Sequence, residues 1–459
     1  MCGVVGIWGS PKASLDVFQG LLLLQHRGQD AAGIIADDSD SGRFRLRKAM
    51  GQVSEAISAQ ALSELPGTSA LGHTRYSTIG DVKTDDIQPL ALTANVSLAG
   101  VHNGNLSNAN QLRNSLRSQG RFLMTDNDLE LLLHLVADGL QQNDSFEGLC
   151  QVVTRTMEQA EGGYACVMLW GARGMFAFKD PHGLRPLCLG KKDGAYALAS
   201  ESSALSFLGY TDQRELEAGE LVWIDETGKL HSKKLKDVNK KSCFFEWVYF
   251  AGAESRMDHM GVYEARLRLG IALAKKIQAA KGIPEIDVVA PVPDTSRPAA
   301  AAIAEELRLP YREVLLKNRY VQRSFIMNGQ EKRKQAVGLK FSVVEEQVRG
   351  KNVLLVDDSI VRGTTSRRLV ELLKSHGAKS VVFASTCPPI THPCHYGIDF
   401  PTGKELIAHG RSIEAVKSEL ECDGLIYADL SDLSSGIGSD NLCLACLSGD
   451  YPYAIEAQA

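Results

Sequence analysis

The sequence predicts two fused domains, an α+β domain in the N-terminal half and an α/β domain in the C-terminal half. The 459 residues are too many for one hydrophobic core. The N-terminal half has many short apolar or alternating segments bounded by glycine, with a few helical patterns, which is typical of an α+β mixture. From Ile286 onwards, strand and helix patterns alternate, which indicates parallel βαβ units. A turn and a charged stretch between Glu220 and Lys241 separate the two patterns, so we expect domains at 2–235 and 236–459.

The elements of the N-terminal half follow from hydrophobic periodicity. Apolar or alternating runs predict strands at 4–8, 32–36, 96–101, 165–170 and 175–178. Helical spacing predicts helices at about 12–25, 106–119, 127–140 and 146–160. We expect one core-facing row in the third helix, formed by Leu129, Leu132, Leu133 and Val136. Three cysteines in apolar surroundings are interpreted as buried structural thiols: Cys150, Cys166 and Cys188.

The elements of the C-terminal half form a repeating series. Apolar runs predict strands at 287–292, 311–316, 353–356 and 380–384, and the segments 298–307 and 365–376 predict helices between them. In a parallel sheet of this kind, ligands bind outside the carboxyl ends of the strands. We therefore expect the chemistry of this half in the segments that follow its strands.

Composition excludes several classes of protein. The chain is 44% hydrophobic and 23% charged, which is ordinary for a globular protein, and its formal net charge of −5 gives no sign of a nucleic-acid or membrane-surface partner. No apolar run approaches the roughly 20 residues that a membrane span needs, and the first residues lack the pattern of a secretory signal. We expect a cytoplasmic protein, in which the ten cysteines serve packing, catalysis or metal binding rather than disulfides.

Cys2 directly follows the initiator methionine. If Met1 is removed, this residue carries both a thiol and a free α-amino group. An α-amine with an unperturbed pKa of about 7.7–8.0 can act as a base beside a thiol of about 8.5, so one residue can supply nucleophile and base. A terminal cysteine alone would more often have no function, but four motifs downstream favour the chemical interpretation. They are HRGQD at 26–30, GHTRYST at 72–78, HNGNL at 102–106 and DND at 126–128.

These motifs contain the groups that hydrolysis of glutamine requires. Arg75 can form a bidentate pair with the α-carboxylate of glutamine, and Asp128 can bind its α-ammonium. The side chain of Asn103 and the backbone N–H of Gly104 can stabilise the oxyanion that forms when a thiolate attacks the side-chain amide. Gly28 would let the backbone come close to the substrate. Taken alone, Asn-Gly would instead predict a hairpin turn.

The segment KNVLLVDDSIVRGTTSR at 351–367 predicts a strand, an acidic turn, a phosphate-binding loop and a helix. Backbone N–H groups at a helix N-terminus attract an anion, which points to Gly363, Thr364, Thr365 and Ser366. Asp357 and Asp358 can accept hydrogen bonds from ribose hydroxyls or take part in magnesium binding. An ordinary strand-to-helix turn with capping residues is the alternative interpretation.

Four cysteines of the C-terminal half form a candidate metal site. Cys443 and Cys446 make a C-x-x-C pair, which is preceded by Cys394 and, far upstream, by Cys243. Four thiolates can hold zinc or an iron–sulfur cluster, and their spacing does not choose between them. Two further cysteines in the same region, Cys387 and Cys422, are assigned no ligand role.

Together these motifs resemble those of a known family. Residues 2 to about 235 resemble a class II glutamine amidotransferase domain of the N-terminal-nucleophile type. The segment 351–367 resembles the phosphoribosyl pyrophosphate (PRPP) signature of type I phosphoribosyltransferases, and the whole chain resembles the glutamine PRPP amidotransferase family. The resemblance implies an αββα glutaminase domain fused to an α/β type I phosphoribosyltransferase domain. It also implies the reaction, in which ammonia from glutamine attacks C1 of PRPP to give 5-phosphoribosylamine, diphosphate and glutamate, the first committed step of purine (IMP) biosynthesis.

The resemblance also implies ligands and partners. Thr295 would join Asp357 and Asp358 at a site for one Mg²⁺ per PRPP, and Arg323 and Lys332 would belong to a basic loop that folds over PRPP. One branch of the family carries a 4Fe-4S cluster, whose ligand positions are occupied here by Cys243, Cys394, Cys443 and Cys446. The family further implies purine nucleotides as feedback inhibitors and a homo-oligomer, either a dimer or a tetramer.

The sequence departs from the family in one turn, and two rival functions need to be weighed. Gly252-Ala253-Glu254 replaces a usual Arg-Pro-Asp, which puts any role of that turn in domain coupling or nucleotide feedback in doubt. We also expect maturation to need only removal of Met1. A hexosamine-phosphate synthase would share the glutaminase half but would have no use for the segment 351–367. A PRPP-sensing regulator would not need Cys2, Arg75 or Asn103-Gly104 and would be expected to carry a basic DNA-binding module.

Overall fold

A computed structural model describes residues 2–38, 41–76, 83–93, 96–140, 144–318, 341–400, 402–453 and 455. Ser77 and Thr78 of the predicted GHTRYST motif lie outside these residues, and so do Arg323 and Lys332 of the predicted basic loop. Among the described helices, none is long and apolar enough to cross a membrane.

The strands of the N-terminal half form two antiparallel sheets. They are β1 (Gly3–Trp8), β2 (Ala31–Asp38), β3 (Arg43–Met50), β4 (Ser69–Arg75), β5 (Leu90–Thr93), β6 (Ser97–Leu106), β7 (Gly162–Trp170), β8 (Gly174–Lys179), β9 (Cys188–Lys192), β10 (Ala195–Ala199), β11 (Asp212–Glu215), β12 (Glu220–Ile224) and β13 (Leu230–Lys234). The first sheet has the order β11-β9-β10-β1-β4-β2-β3, and the second has the order β13-β12-β8-β7-β6-β5.

Helices cover the outer faces of both sheets. They are α1 (Ala13–Leu23), α2 (Val53–Ala56), α3 (Ala59–Ser63), α4 (Ala109–Ser118), α5 (Asp128–Leu140), α6 (Phe146–Gln159) and α7 (Ser202–Phe207). One apolar cluster lies between the sheets, a second joins α1 and α7 to the first sheet, and a third joins α4, α5 and α6 to the second. The predicted αββα order is therefore confirmed. The predicted leucine face of α5 and the three structural thiols are buried as expected.

The C-terminal half is built on a four-stranded parallel sheet. The described strands of this half, including those outside the parallel sheet, are β14 (Ser242–Cys243), β15 (Arg256–Met257), β16 (Met260–Gly261), β17 (Val288–Pro291), β18 (Leu315–Lys317), β19 (Phe341–Val343), β20 (Asn352–Asp357), β21 (Ser380–Ser385), β22 (Gly424–Tyr427) and β23 (Leu442–Cys443). Its helices are α8 (Val262–Ala279), α9 (Arg297–Leu307), α10 (Thr364–Ser375), α11 (Ile413–Leu420), α12 (Leu430–Ile437) and α13 (Ala445–Ser448). The parallel strands have the order β17-β20-β21-β22, with α8 and α9 packed on one face and α10 and α11 on the other. This arrangement confirms the predicted α/β domain.

One predicted strand of this half is wrong in extent. In the segment 311–316, Tyr311 makes a single parallel bridge to Val289, and the regular strand begins only at Leu315, where it pairs with β19 in a separate antiparallel ribbon. Arg312 and Glu313 are exposed. A central parallel strand is buried on both faces, so a segment with two exposed charged residues cannot extend the main sheet.

Candidate functional site

Cys2 lies at the junction of the two N-terminal sheets. Its backbone N–H donates to Asn103 Oδ1 of β6 at 3.0 Å. The next N–H, of Gly3, donates to Thr74 Oγ1 of β4 at 3.1 Å. Because β4 belongs to the first sheet and β6 to the second, the start of the chain is held by both sheets.

Asn103 and Gly104 lie within strand β6, opposite Ala165 and Tyr164 of β7. The hairpin turn that Asn-Gly alone would predict is therefore not formed at Asn103-Gly104. Asn103 is fully buried, and among the described residues its Nδ2 has no hydrogen-bond partner. Gly104 lies so close to β7 that a Cβ would come within 2.0 Å of Gly163 O. A buried amide donor without a partner is unusual, and here it adjoins the backbone nitrogen of Cys2.

Arg75 and Asp128 are linked through the segment that contains Asp86. Arg75 Nη1 donates to Asp86 O at 2.6 Å, and Asn127 Nδ2 donates to the same oxygen at 2.7 Å. Asp128 is the first residue of α5, and its Oδ2 accepts from the N–H of Leu106 at 2.8 Å. The arrangement puts a guanidinium and a carboxylate at the ends of β4 and β6, which suits the two charged groups of an amino acid.

The carboxylate of Asp128 is poorly solvated. Burial raises the pKa of Asp128 to about 6, although the Leu106 N–H and the positive charge of Arg113 act in the opposite direction. A carboxylate that is costly to ionise when empty gains more from an ammonium partner than a solvated one does. The shift therefore favours this position for binding a cationic group.

Two buried histidines lie near this site, His73 on β4 and His102 on β6. Burial lowers the pKa of both His73 and His102 to about 3. Neither ring nitrogen of His73 has a hydrogen-bond partner, and His102 Nδ1 lies 2.8 Å from Gln88 Nε2. Both rings are uncharged at neutral pH and only weakly basic, so neither is suited to take a proton from a thiol.

Gly28 follows a short 3-10 helix at Gln25–Arg27 and lies against the end of β4. A Cβ at this position would come within 2.6 Å of the Arg75 carbonyl carbon and 2.7 Å of its oxygen. Within the described residues, Gly28 thus lies close to the backbone that carries Arg75, and its predicted approach to the substrate stays a prediction.

Thr295 follows β17, and Asp357 and Asp358 lie at the carboxyl end of the neighbouring parallel strand β20. Thr295 Oγ1 donates a hydrogen bond to Asp358 Oδ2, and Ser359 Oγ donates to Asp358 Oδ1 at 2.6 Å. Burial, followed by the charge of Asp358, raises the pKa of Asp357 well above its usual range. Two adjacent buried carboxylates with a hydroxyl beside them form a site that a cation would stabilise.

The loop after β20 leads into α10 through Gly363. This residue has a φ of +75°, in the left-handed region that favours glycine, and a Cβ would lie 2.2 Å from Ile407 Cδ1. Thr364 and Thr365 are exposed, whereas Ser366 is buried. The first N–H groups of a helix have no acceptor within it, so this turn has the donors that a phosphate needs.

The four predicted ligand cysteines line one cavity. Cys243, Cys394, Cys443 and Cys446 share it with Arg185, Tyr396 and Tyr451 among others, whereas Cys387 and Cys422 do not line it. Cys243 and Cys443 are directly opposite each other in the parallel pair of β14 and β23. Burial raises the pKa of Cys243 to about 11, so this thiol is protonated at neutral pH in the structure. Across the described ranges, no three Cys, His, Asp or Glu side chains converge closely enough to hold a metal ion.

Comparisons with known proteins match both halves of the chain. A family model for a glutamine amidotransferase domain matches residues 73–207, and one for a phosphoribosyl transferase domain matches residues 262–397. The amidophosphoribosyltransferase of Escherichia coli (strain K12) is 42% identical over 452 residues, which cover 96% of this chain and 89% of the relative. The chain belongs to the amidophosphoribosyltransferase family. The amidophosphoribosyltransferase of Bacillus subtilis (strain 168) is 40% identical over 462 residues, or 99% of this chain and 94% of the relative.

A solved amidophosphoribosyltransferase structure has the same fold over the whole chain. The glutamine PRPP amidotransferase from B. subtilis, complexed with ADP and GMP, superposes with a TM-score of 0.90 at 40% identity, covering 100% of this chain and 98% of that one. The chain is therefore an enzyme that uses ammonia from glutamine to convert PRPP to 5-phosphoribosylamine, the first step of purine biosynthesis. Membership of this family rules out the hexosamine-phosphate synthase and the PRPP-sensing regulator.

The amidophosphoribosyltransferase fold also contains a buried arginine that the sequence analysis did not single out. Arg27 is fully buried, and its Nε donates to Cys2 O at 3.0 Å. Its Nη1 donates to Glu201 Oε1 at 2.6 Å, and its two terminal nitrogens each lie 3.0 Å from an oxygen of Glu246. The sequence offered one signal, an arginine inside the motif at 26–30. Its two carboxylate partners are 174 and 219 positions away, which spacing alone could not reveal.

Proposed function

We propose that Cys2, freed by removal of Met1, is the nucleophile that hydrolyses glutamine. Its α-amino group takes the thiol proton, the thiolate attacks the side-chain amide carbon, and a γ-glutamyl thioester forms as that proton is passed to the leaving ammonia. Asn103 Nδ2 and the Gly104 N–H donate to the oxyanion, and water then releases glutamate and restores the thiol. The observation that carries the proposal is the unpartnered, buried Asn103 Nδ2, whose amide oxygen accepts from the Cys2 nitrogen at 3.0 Å.

The groups that hold glutamine are proposed from charge and position. Arg75 binds the α-carboxylate, Asp128 binds the α-ammonium, and Gly28 lets the loop at 26–30 lie against the substrate end of β4. Support comes from the shared carbonyl of Asp86, which anchors both Arg75 and the residue before Asp128. The weak basicity of the nearby histidines supports the α-amino group as the base.

The acceptor site is assigned to the carboxyl ends of β17 and β20. In this proposal the 5-phosphate of PRPP binds the loop formed by Gly363, Thr364, Thr365 and Ser366, and the ribose hydroxyls lie near the acidic pair. Arg323 and Lys332, which lie outside the described residues, would neutralise the departing diphosphate. The left-handed Gly363 and the first turn of α10 support the phosphate assignment.

A magnesium ion is proposed beside the acidic pair. Thr295, Asp357 and Asp358 would hold it, because hydroxyl and carboxylate oxygens are the ligands that Mg²⁺ prefers. The hydrogen bond from Thr295 to Asp358 and the raised pKa of Asp357 support a site that a bound cation would stabilise. When bound, Mg²⁺ supplies positive charge to the diphosphate leaving group.

A 4Fe-4S cluster is proposed on Cys243, Cys394, Cys443 and Cys446, which would place the chain in the iron–sulfur branch of the family. All four thiols line one cavity, and Arg185 lines it as well, with an Nη1 that is buried and has no hydrogen-bond partner. A cluster held by four thiolates is anionic, so a buried cation with a spare donor fits it. When bound, the cluster would cross-link the segments that carry the four cysteines.

Domain limits, partners and location complete the proposal. We place the domains at 2–235 and 236–459, supported by β13, which ends at Lys234 in the second sheet, and by β14, which pairs with β23 near the C-terminus. Purine nucleotides are proposed as feedback inhibitors, supported by the solved B. subtilis relative in complex with ADP and GMP. We also propose a homo-oligomer, a dimer or tetramer, in the cytoplasm.

The division of labour between the two sites predicts separable activities. Cys2→Ala should abolish glutamine-dependent synthesis of phosphoribosylamine but retain synthesis from ammonium salts, whereas Asp358→Asn should lower both. The measurement is product formation from PRPP with either nitrogen source, together with PRPP-dependent release of glutamate. Cys150→Ala, which removes a buried thiol of α6, is the matched control and should leave the ratio of the two rates unchanged. Equal loss of both activities in Cys2→Ala would contradict the proposal.

A further inference from the structure

A row of buried charges connects the start of the chain with the cysteine cavity. Arg27 and Arg185 are 0% exposed, and Glu246 between them is 2% exposed. Arg27 donates through both terminal nitrogens to Glu246 at 3.0 Å, and through Nε to Cys2 O at 3.0 Å. On the other side, Arg185 Nη1 lies 3.7 Å from Glu246 Oε1. One carboxylate is therefore shared by an arginine behind Cys2 and an arginine that lines the cavity.

Arg185 is held firmly on one side and is free on the other. Its Nε donates to Tyr396 O at 2.9 Å, and its Nη2 donates to the same oxygen. Its Nη1 is buried and makes no hydrogen bond within the part of the chain that the structure describes, since the contact with Glu246 is too long for one. The cavity that it lines contains all four candidate ligand thiols. An uncommitted guanidinium N–H in such a cavity is suited to an anionic group held there.

Glu246 lies on a hydrogen-bonded segment of the C-terminal half. It begins a π-helical turn at Glu246–Phe250, three residues after Cys243 of the cavity. Arg266 fixes the end of this turn by donating to Trp247 O at 2.8 Å and to Ala251 O at 2.8 Å. The carboxylate that holds Arg27 and one of the cavity thiols thus belong to the same short, anchored segment.

We propose that Glu246 is a positioning residue that couples the cysteine cavity to the nucleophile Cys2. The inference rests on the proposed roles of Cys2 and the four cysteines and goes beyond them. When the thiols hold an anionic group, Arg185 turns its spare N–H towards that group, and Glu246 is left to Arg27. When they do not, the charge of Arg185 stays directed at the same carboxylate, 3.7 Å away, and weakens the electrostatic hold of Glu246 on Arg27 and so on Cys2. In a dry interior this effect is strong, because charges interact with little screening.

The experiment is a double-mutant cycle with the reactivity of Cys2 as its readout. Glu246→Gln, Cys443→Ser and the double variant are prepared as full chains, and alkylation of Cys2 by iodoacetamide is followed by mass spectrometry. Each single change should slow alkylation about 10-fold, and the double variant should be no slower than the slower single one, because both changes break the same link. The ratio of glutamine-dependent to ammonia-dependent synthesis should fall in parallel.

A matched control separates coupling from the general loss of a buried ion pair. Glu220 is also buried and also forms a bidentate pair, with Arg214 at 2.9 and 2.6 Å, but it lies on β12 outside the row of charges. Glu220→Gln should change the alkylation rate less than about twofold, as expected for an independent site.

Two outcomes would overturn the inference. One is a double variant whose slowing is the product of the two single effects, and the other is an unchanged alkylation rate in a folded Glu246→Gln protein. If Glu246→Gln does not fold, Arg185→Lys decides the matter, since it keeps the charge but loses the fork that reaches both Glu246 and the cavity. Failure of the proposed function is recognised separately, because Cys2→Ala would then retain glutamine-dependent synthesis.

Discussion

At the scale of single residues, the candidate glutaminase site depends on side chains that are short of partners. Asn103 Nδ2 makes no hydrogen bond, and the carboxylate of Asp128 receives a single hydrogen bond, from Leu106, among those described for it. A buried polar group without a partner, such as Asn103 Nδ2, costs stability, and Asp128 is half-buried and equally short of partners; a protein retains such groups where a ligand completes them. Glutamine has the complementary groups, a carbonyl oxygen for Asn103 and an ammonium for Asp128.

The raised pKa of Asp128 predicts how glutamine use depends on pH. The carboxyl is ionised above about pH 6 and protonated below it, so its attraction for the substrate ammonium is lost as the pH falls through that value. Protonation of the α-amino base already lowers kcat/KM for glutamine below about pH 8, and below about pH 6 we expect a further tenfold fall per pH unit from Asp128, while kcat/KM for ammonia, corrected for the fraction of free ammonia, does not show that further fall. Initial rates with each nitrogen source over about pH 5 to 8 measure this.

Asp128→Asn provides the control for this profile. The variant should have a raised KM for glutamine at every pH and should lose the further decline below about pH 6, because the amide does not titrate in this range, while the limb of the α-amino base remains. Persistence of the further decline in the variant would assign it to another group, and the ammonium-binding role of Asp128 would be contradicted.

Single residues differed in how far the sequence could reveal them. Cys2, Arg75 and Asn103-Gly104 could be proposed because their chemistry is local and lies in short motifs. Arg27 and Glu246 could not be paired, because the contact joins positions 219 apart and exists only after both halves have folded. The unsatisfied Nη1 of Arg185 is likewise a property of packing, which no composition or spacing contains.

At the scale of elements, hydrophobic periodicity predicted the bounds of a strand most accurately where all of its residues share the same degree of burial. The strands β17, β20 and β21 were predicted within two residues at each end, since they are apolar throughout and buried on both faces. The whole segment 311–316 was predicted as one strand, although two exposed charged residues, Arg312 and Glu313, interrupt its apolar pattern. Among the described strands, the short β14 and β23 pair only with each other, across 200 positions, so neither has a pattern of its own.

The turn into α10 predicts an effect confined to the PRPP site. Gly363→Ala would force a left-handed conformation on a residue with a Cβ and would drive that Cβ to 2.2 Å from Ile407 Cδ1. Because the phosphate donors follow directly, we expect KM for PRPP to rise about 10-fold or more, and we expect a cost in stability of about 1–3 kcal/mol. Steady-state kinetics with varied PRPP and thermal unfolding measure the two effects.

A second glycine with the same backbone conformation is a matched control. Gly350 has a φ of +74°, and a Cβ there would meet nothing within 4 Å. Gly350→Ala should therefore show the conformational cost alone, about 1–2 kcal/mol, with an unchanged KM for PRPP. If the two variants raised KM equally, the loop at 363–366 would not be the phosphate site.

At the scale of the whole molecule, buried ion pairs and hydrogen bonds join the two halves in addition to the polypeptide chain. Glu201 of the N-terminal half accepts from Gly252 N at 2.9 Å and from Ser255 Oγ at 2.7 Å, while its other oxygen accepts from Arg27. The altered turn at 252–254, whose sequence raised doubt about domain coupling, is thus tied to the arginine behind Cys2. Sequence comparison with the family pattern located this turn, but its partner became visible only in the folded chain.

Occupation of the cysteine cavity should affect the stability of the whole enzyme. If the four thiols hold a 4Fe-4S cluster, anaerobically purified protein should contain iron and acid-labile sulfide in equal amounts, and Cys443→Ser should lose both along with the visible absorbance of the cluster. Because the ligands come from three separate segments, loss of the cluster should lower the melting temperature by several degrees, the shift expected for about 2 kcal/mol in a chain of this size. Cys422→Ser, which removes a buried thiol of the same half outside the cavity, should keep the iron and the absorbance. Zinc in place of iron, or a Cys443→Ser protein with unchanged iron content, would refute the cluster assignment.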